Sequence, residues 1–102
     1  MDLKNIGDAT DWFEVLQTGK RTQTAMMTLK PGQSSGTEPE GHKNSDQVLL
    51  VLKGKVEGEI ADETITLHEG DVIMIPAGTK HKFSNQSSTD VVTFNTYSPP
   101  EY

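Results

Sequence analysis

The segment from Gly70 to Asn85 carries the clearest chemical signal in this chain of 102 residues. It reads Gly-x5-Pro-x-Gly-x2-His-x3-Asn, and the histidine is His81. The apolar run Val72 to Ile75, bounded by a glycine and a proline, predicts a short buried strand. Pro76-Ala77-Gly78 predicts a turn that leaves His81 near the start of the next strand. A turn this tight can hold the imidazole at a fixed depth inside a barrel, facing whatever the barrel encloses.

This segment resembles the second conserved motif of the cupin family, small β-barrels that often hold a metal ion. Every fixed position of that motif is occupied here. The resemblance implies an all-β fold, an antiparallel double-stranded β-helix or jelly-roll barrel, and is much less specific about the reaction. It covers about residues 32–100. Asp46-Gln47 and the closing Thr96-Tyr97-Ser98-Pro99-Pro100 are also similar to a subgroup described as mannose-6-phosphate isomerase-like.

The first cupin motif, Gly-x5-His-x-His-x3,4-Glu-x6-Gly, aligns with this chain in two registers. One register places His42 first and Asn44 second, but leaves only two residues before the acid position. The other is anchored on Gly54 and reads Glu40-x-His42-x4-Gln47-x6-Gly54. We prefer the second register because strand geometry fixes the distance between ligands, whereas a loop absorbs extra residues. Glu40 and His42 are then two residues apart and share one face.

The resemblance therefore implies a metal site formed by Glu40, His42, Gln47 and His81. Glutamate replaces the usual first histidine, and glutamine replaces the usual glutamate. Two imidazoles and one carboxylate suit a divalent transition ion, such as Fe, Mn, Ni or Zn, with open positions for water or substrate. The amide oxygen is a weaker ligand than a carboxylate, so the sequence leaves the identity of the metal open.

The pocket beside this site is expected to be lined by Leu49 and Val51, which share a face with Gln47, and by Phe83, two residues beyond His81. Each ligand also has a simpler interpretation. His42 on a polar loop can be solvated, and Gln47 can bond to the backbone instead of a metal.

Other polar and aromatic residues compete with this assignment. Glu40 can be an ordinary solvated acid, and Glu38 is the competing carboxylate. Asn44 is typical of a turn. We expect His68 to be exposed at a turn, and the Trp12-Phe13 pair to lie in the core or in an interface.

Strand-like segments separated by turns fill the chain, at a spacing typical of an antiparallel sandwich or barrel. Residues 31–41 form a polar loop whose length suggests a functional rim. At most one helical turn is expected, within residues 8–16. We predict a single domain over residues 1–102, with the barrel core at 32–97 and a proline-stiffened tail at 98–102 that lies against the surface.

Composition excludes several classes of function. Nine Lys and Arg against fifteen Asp and Glu give a net charge of -6 without a basic cluster, which argues against nucleic acid as a partner. No apolar run approaches the length of a membrane span, and the first residues do not read as a signal peptide. The chain has no cysteine and hence no thiolate chemistry. We therefore expect a cytoplasmic protein.

Both faces of the predicted strand Gln47 to Leu52 are apolar. Leu49 and Val51 follow Gln47 inward, so Val48, Leu50 and Leu52 point outward. A strand that is apolar on both faces must be covered on both. We therefore predict a homodimer, and the alternative cover is the N-terminal segment with Trp12 and Phe13.

The leading hypothesis for function is a small metal-binding cupin with a pocket for a small molecule. A non-catalytic module that binds or senses a sugar-like ligand is one alternative. A metal-dependent isomerase or dioxygenase is another, because the same fold hosts many reactions. A metal-free scaffold is the third class. The sequence does not identify the substrate.

Overall fold

The computed structural model describes residues 1–102 and contains eight β-strands and one short 3-10 helix, Ile6–Asp8. The strands are β1 (Phe13–Thr18), β2 (Gln23–Leu29), β3 (Asp46–Lys53), β4 (Lys55–Ile60), β5 (Glu63–His68), β6 (Val72–Ile75), β7 (His81–Ser84) and β8 (Val91–Ser98). None of its helices has the length and apolar character needed to cross a membrane.

The strands form two antiparallel sheets. One has the order β1-β2-β8-β3-β6, and the other has the order β5-β4-β7. This arrangement confirms the predicted all-β antiparallel fold. The strand predicted at Val72 to Ile75 is present with the same ends, and the strand predicted at Gln47 to Leu52 extends one residue further at each end. The helical turn expected within residues 8–16 lies earlier, because Asn5 caps the 3-10 helix and the chain from Phe13 onward pairs with β2.

The core lies between the two sheets. Strand β3 shows how the sequence forms it, because Gln47, Leu49 and Val51 alternate inward while the residues between them remain only partly buried. Leu49 and Val51 have no exposed surface. The inward residues of the other strands complete one cluster: Met27, Leu29, Val56, Leu67, Ile75, Phe83 and Val91.

The outer face of the five-stranded sheet is apolar as well. In the β3–β6 register, Val48 lies opposite Met74 and Leu50 lies opposite Val72. Val72 and Met74 are 63% and 67% exposed. In the N-terminal segment Leu3 and Ile6 are 82% and 46% exposed, whereas Phe13 packs against the core between the sheets. At β6, therefore, no other part of the same chain covers this outer face.

Candidate functional site

The long loop between β2 and β3 runs along the free edge of β7. The Ser35 amide donates to the Phe83 carbonyl at 2.8 Å. Further along, the backbones of Glu40 and His81 exchange two hydrogen bonds of 3.0 Å. The polar loop predicted as a rim is thus held against the three-stranded sheet, and it brings Glu40 and His42 to the same end of the molecule as His81.

Two glycines allow this loop to approach the turn that precedes β7. A Cβ atom on Gly41 would lie 3.1 Å from the carbonyl carbon and oxygen of Gly78, and Gly78 itself has φ +83°. The Gly78 amide donates to the His42 carbonyl at 2.8 Å. Asp46 supports the same turn by accepting a hydrogen bond from the Ala77 amide at 2.8 Å. As a result, the rings of His42 and His81 meet with centroids 5.0 Å apart.

The backbone fixes the tautomer of His81. Its Nδ1 lies 3.0 Å from the Thr79 carbonyl oxygen. Because a carbonyl only accepts hydrogen bonds, Nδ1 carries the hydrogen and Nε2 keeps its lone pair. Burial lowers the pKa of His81; the Thr79 carbonyl opposes this shift and nearby His42 adds to it. The ring is therefore neutral near pH 7 and has one nitrogen free to bind a ligand.

A chain of hydrogen bonds fixes the orientation of Gln47. Thr93 Oγ1 donates to the Met27 carbonyl at 2.9 Å and therefore accepts from Asn95 Nδ2 at 3.0 Å. Asn95 Oδ1 then faces Gln47 Nε2 at 3.0 Å. Gln47 Oε1 is left to face His42 Nε2 at 3.1 Å. The direction of each amide follows from the backbone carbonyl at the start of the chain.

The other ring nitrogen of His42 faces a carboxylate from the tail. Nδ1 of His42 lies 3.0 Å from Glu101 Oε1. Both nitrogens of this ring therefore point at oxygen atoms of neighbouring side chains, Glu101 on one side and Gln47 on the other. Tyr102 follows, and its ring packs against Tyr97 and Phe13 at centroid distances of 5.1 and 4.9 Å.

A cavity of about 260 Å³ opens beside the two histidines. Aromatic rings dominate its wall, two carboxylates line it, and neither lysine nor arginine does so. It is lined by Trp12, Phe13, Met27, Ser35, Gly36, Glu38, Glu40, His42, Gln47, His81, Phe83, Tyr97 and Tyr102.

Both tyrosines in this wall are uncharged. Burial raises the pKa of Tyr97 well above its usual range, and the neighbouring Tyr102 adds to the shift. Burial also raises the pKa of Tyr102. The two phenols therefore remain neutral near pH 7 and give the cavity hydroxyl groups rather than charges.

The structure places the predicted pocket residues at different depths. Phe83 lines the cavity, and its ring lies 5.8 Å from that of His81. Leu49 and Val51, expected to line the pocket, lie instead in the core without exposed surface and are not part of the cavity wall. They share the inward face of β3 with Gln47, but the core closes over them below the cavity.

The donor atoms around the cavity determine whether it can hold a metal ion. No group of three or more His, Asp and Glu side chains lies close enough together to hold one. Glu40 pairs with His81 through the backbone and is an exposed residue of the cavity wall. The candidate donors that remain are His42 Nε2 and Gln47 Oε1, which are 3.1 Å apart, and the ring of His81, whose centroid lies 5.0 Å from that of His42. Two atoms that bind one ion at about 2.1 Å are separated by about 3.0 to 3.4 Å.

Both histidines also have the outer contacts typical of metal ligands. The second nitrogen of each ring faces an oxygen acceptor, from Thr79 for His81 and from Glu101 for His42. Such contacts set the tautomer and orientation of a ligating histidine. Two imidazoles and an amide oxygen suit a divalent ion by their chemistry, and in the structure His42 and Gln47 contact each other directly.

Several residues of the site were not identified from the sequence. Thr93, Asn95 and Tyr97 are inward-facing residues of β8, and their spacing of two within a strand was the available signal. Glu101 and Tyr102 lie in the tail, where no periodic pattern marks them. The tail was expected only to lie against the surface, whereas it forms part of the site.

Comparison with known proteins agrees with this architecture. Residues 25–97 match the cupin domain family. The chain is 36% identical over 92 residues to the uncharacterized protein L612 of Acanthamoeba polyphaga mimivirus, covering 86% of this chain and 56% of that protein. It is 36% identical over 62 residues to quercetin 2,3-dioxygenase of Bacillus subtilis, covering 61% of this chain and 18% of the enzyme.

A crystal structure of a protein from Bacillus halodurans has the same fold. Its TM-score is 0.86 at 24% identity, over 94% of this chain and 76% of the other. The chain belongs to the cupin family. It spans about half the length of the first curated relatives that it matches, so the similarity to those relatives covers only part of each.

Proposed function

We propose that this chain is a small metal-binding cupin that holds a divalent ion beside a pocket for an uncharged small molecule. The observation that supports the proposal is the convergence of His42, His81 and Gln47 at the cavity, with each side chain oriented by a further hydrogen bond. Glu40 is the proposed fourth ligand, because the backbone holds it opposite His81. When bound, Fe, Mn, Ni or Zn would polarise a carbonyl group of the small molecule.

The charge of the cavity wall supports an uncharged ligand. Glu38 and Glu40 contribute carboxylates, while no lysine or arginine lines the cavity. Phosphate groups in proteins are usually bound by such cations or by helix N-termini. We therefore propose that the chain is similar to the mannose-6-phosphate isomerase-like subgroup in its fold, and that its ligand is not a sugar phosphate. Aromatic walls and two neutral phenols favour a flat molecule with a polar group.

Binding without turnover and catalysis are two forms of this proposal. The similarity to quercetin 2,3-dioxygenase favours a metal-dependent dioxygenase as the catalytic form, whereas a sensing module needs only the pocket. Oxygen consumption separates the two. A flat phenolic compound that binds and causes metal-dependent oxygen uptake supports the enzyme, and binding without uptake supports the sensor.

Metal content tests the central part of the proposal. Protein purified without chelator or affinity-column metal is expected to carry one divalent ion per chain by elemental analysis. His81→Ala should remove the ion, because it deletes the donor that the Thr79 contact leaves free. His68→Ala is the matched control, since His68 is an exposed histidine at the far end of β5. A His81→Ala protein that keeps one tightly bound ion would contradict the assignment.

We also propose that two chains associate through the outer face of the five-stranded sheet. The N-terminal segment leaves Val72 and Met74 of β6 uncovered, because these side chains are 63% and 67% exposed. A homodimer that joins two copies of this face would remove these side chains from water. A single domain over residues 1–102 and a cytoplasmic location complete the proposal.

A further inference from the structure

A buried glutamine at the start of β2 holds the tail of the chain over the site. Gln23 is 1% exposed. Its Oε1 accepts hydrogen bonds from the Glu101 amide at 3.1 Å and the Tyr102 amide at 2.9 Å. Its Nε2 donates to the Tyr102 carbonyl at 2.8 Å and to Thr18 Oγ1 at 2.9 Å. The side-chain amide of Gln23 therefore uses both acceptor positions of its oxygen and both hydrogens of its nitrogen. Three of these four hydrogen bonds go to the backbone of Glu101 and Tyr102.

Additional contacts fix the direction of this tail. Ser45 Oγ donates to the Pro99 carbonyl at 2.7 Å, just before the pair that Gln23 holds. The Tyr102 ring packs against Phe13 and Tyr97. The backbone is therefore held on both sides of Glu101, which leaves the carboxylate little freedom except to reach His42 Nδ1 at 3.0 Å.

We propose that Glu101 is a positioning residue for His42 and that Gln23 holds it in place. Glu101 keeps the hydrogen on Nδ1, so that Nε2 is the nitrogen that faces Gln47 and the cavity. The inference rests on the proposed metal site, and it adds that the site is complete only when the tail is docked. A carboxylate that accepts from a ligating histidine orients the ring and raises its basicity, and loss of such a partner typically costs about 10- to 100-fold in metal affinity.

Two variants and two controls test the proposal. Glu101→Ala removes the carboxylate, and Gln23→Leu releases the tail while leaving the carboxylate in the chain. Glu69→Ala and Gln86→Leu alter an exposed glutamate and an exposed glutamine outside the site. Each protein is studied by nitrogen-15 NMR of its histidine rings without metal, and by calorimetric titration with Ni²⁺. Circular dichroism verifies folding, and Glu101→Ala alone suffices if Gln23→Leu does not fold.

The expected result is loss of the His42 Nδ1–H signal and a 10- to 100-fold weaker affinity for Ni²⁺ in Glu101→Ala and Gln23→Leu, with neither change in the controls. Glu101→Gln keeps an acceptor oxygen and should restore most of the affinity. A Glu101→Ala protein with the wild-type ring signal and Ni²⁺ affinity within twofold would overturn the proposal. Loss in Glu101→Ala but not in a folded Gln23→Leu would overturn the role of Gln23.

The two measurements separate this inference from the proposed function. In one outcome the wild-type protein binds no Ni²⁺ and elemental analysis finds no other ion, but the ring signal of His42 still depends on Glu101. The proposed metal site is then wrong, and the positioning role of Glu101 is supported. If the protein binds Ni²⁺ but Glu101→Ala changes neither readout, the positioning role is wrong while the metal site stands.

Discussion

Replacement of Gln47 by leucine addresses both the stability of the site and its proposed chemistry. Gln47 is 3% exposed and lies between Asn95 and His42, to which its amide nitrogen and oxygen are hydrogen-bonded at 3.0 and 3.1 Å. Leucine has a similar size and preserves the packing of β3, but it makes neither hydrogen bond. The substitution thus interrupts the hydrogen-bond chain that runs from the Met27 carbonyl to His42.

The loss can be estimated from the burial of each partner. Asn95 is 0% exposed, so its unpaired Oδ1 costs about 1–3 kcal/mol. The side chain of His42 is 18% exposed, so water replaces part of its lost contact and the remaining cost is roughly 0.5–1 kcal/mol. The apolar surface of leucine restores roughly 1 kcal/mol. The net loss in free energy of unfolding is about 1–2 kcal/mol, which lowers Tm by roughly 5–15 °C for a domain of this size.

Thermal unfolding with and without metal is the assay. In EDTA, Gln47→Leu should melt roughly 5–15 °C below the wild-type protein, and Gln86→Leu, on an exposed loop, should match it. With Ni²⁺ at 100 times its Kd, the wild-type protein should gain about 2.7 kcal/mol, and Gln47→Leu should lose most of this gain. If Gln47→Leu melts at the wild-type temperature in EDTA, the chain of hydrogen bonds does not stabilise the fold. If it keeps the full Ni²⁺ gain, Gln47 is not a ligand.

Three further predictions concern the metal, the loops and the assembly. Burial lowers the pKa of His81, which therefore stays neutral above about pH 6.5. Bound metal should accordingly be lost only below that pH, because a protonated imidazole cannot bind it. A metal content that stays constant down to about pH 4 would argue against histidine ligation. Gly41→Ala places a Cβ 3.1 Å from the Gly78 backbone and should weaken Ni²⁺ binding, whereas Gly19→Ala, whose Cβ is 3.4 Å from its nearest neighbour, should not. Light scattering should give twice the single-chain mass, and Met74→Lys should give the single-chain mass; a wild-type monomer would contradict the proposed interface.

The strands could be predicted because their signal is local. The run Val72 to Ile75, flanked by a glycine and a proline, became β6 with the predicted ends. The fixed positions of the second motif also have structural reasons. Asn85, the last of them, donates from its side chain to the Leu29 and Thr89 carbonyls at 2.8 and 2.7 Å. A motif that encodes such turns specifies a fold without specifying a reaction.

The site could be predicted only in part, because its residues come from segments that are distant in the sequence. Spacing identified His42 and His81, and the structure brings their rings together. The same reasoning placed Leu49 in the pocket wall because it shares a strand face with Gln47. Residues on one strand face can nevertheless lie at different depths below the surface, and Leu49 lies in the core. Glu101 lies 59 positions after His42 in the chain. Its proposed role depends on the hydrogen bonds from Gln23 to the tail, and no local sequence pattern reveals those bonds.

The site consists of side chains from paired strands and side chains from a loop, and the two groups are held in different ways. Gln47 and its partners Asn95 and Thr93 lie on paired strands, so their orientation is tied to the Met27 backbone and to the core. His42 and Glu40 lie on a loop held by backbone contacts to the β7 edge and to the preceding turn. Changes in the loop can therefore alter the cavity wall while the amide of Gln47 keeps its direction. Because Gln23 on β2 holds the tail and Glu101 contacts His42, the tail links the strands of the site to its loop.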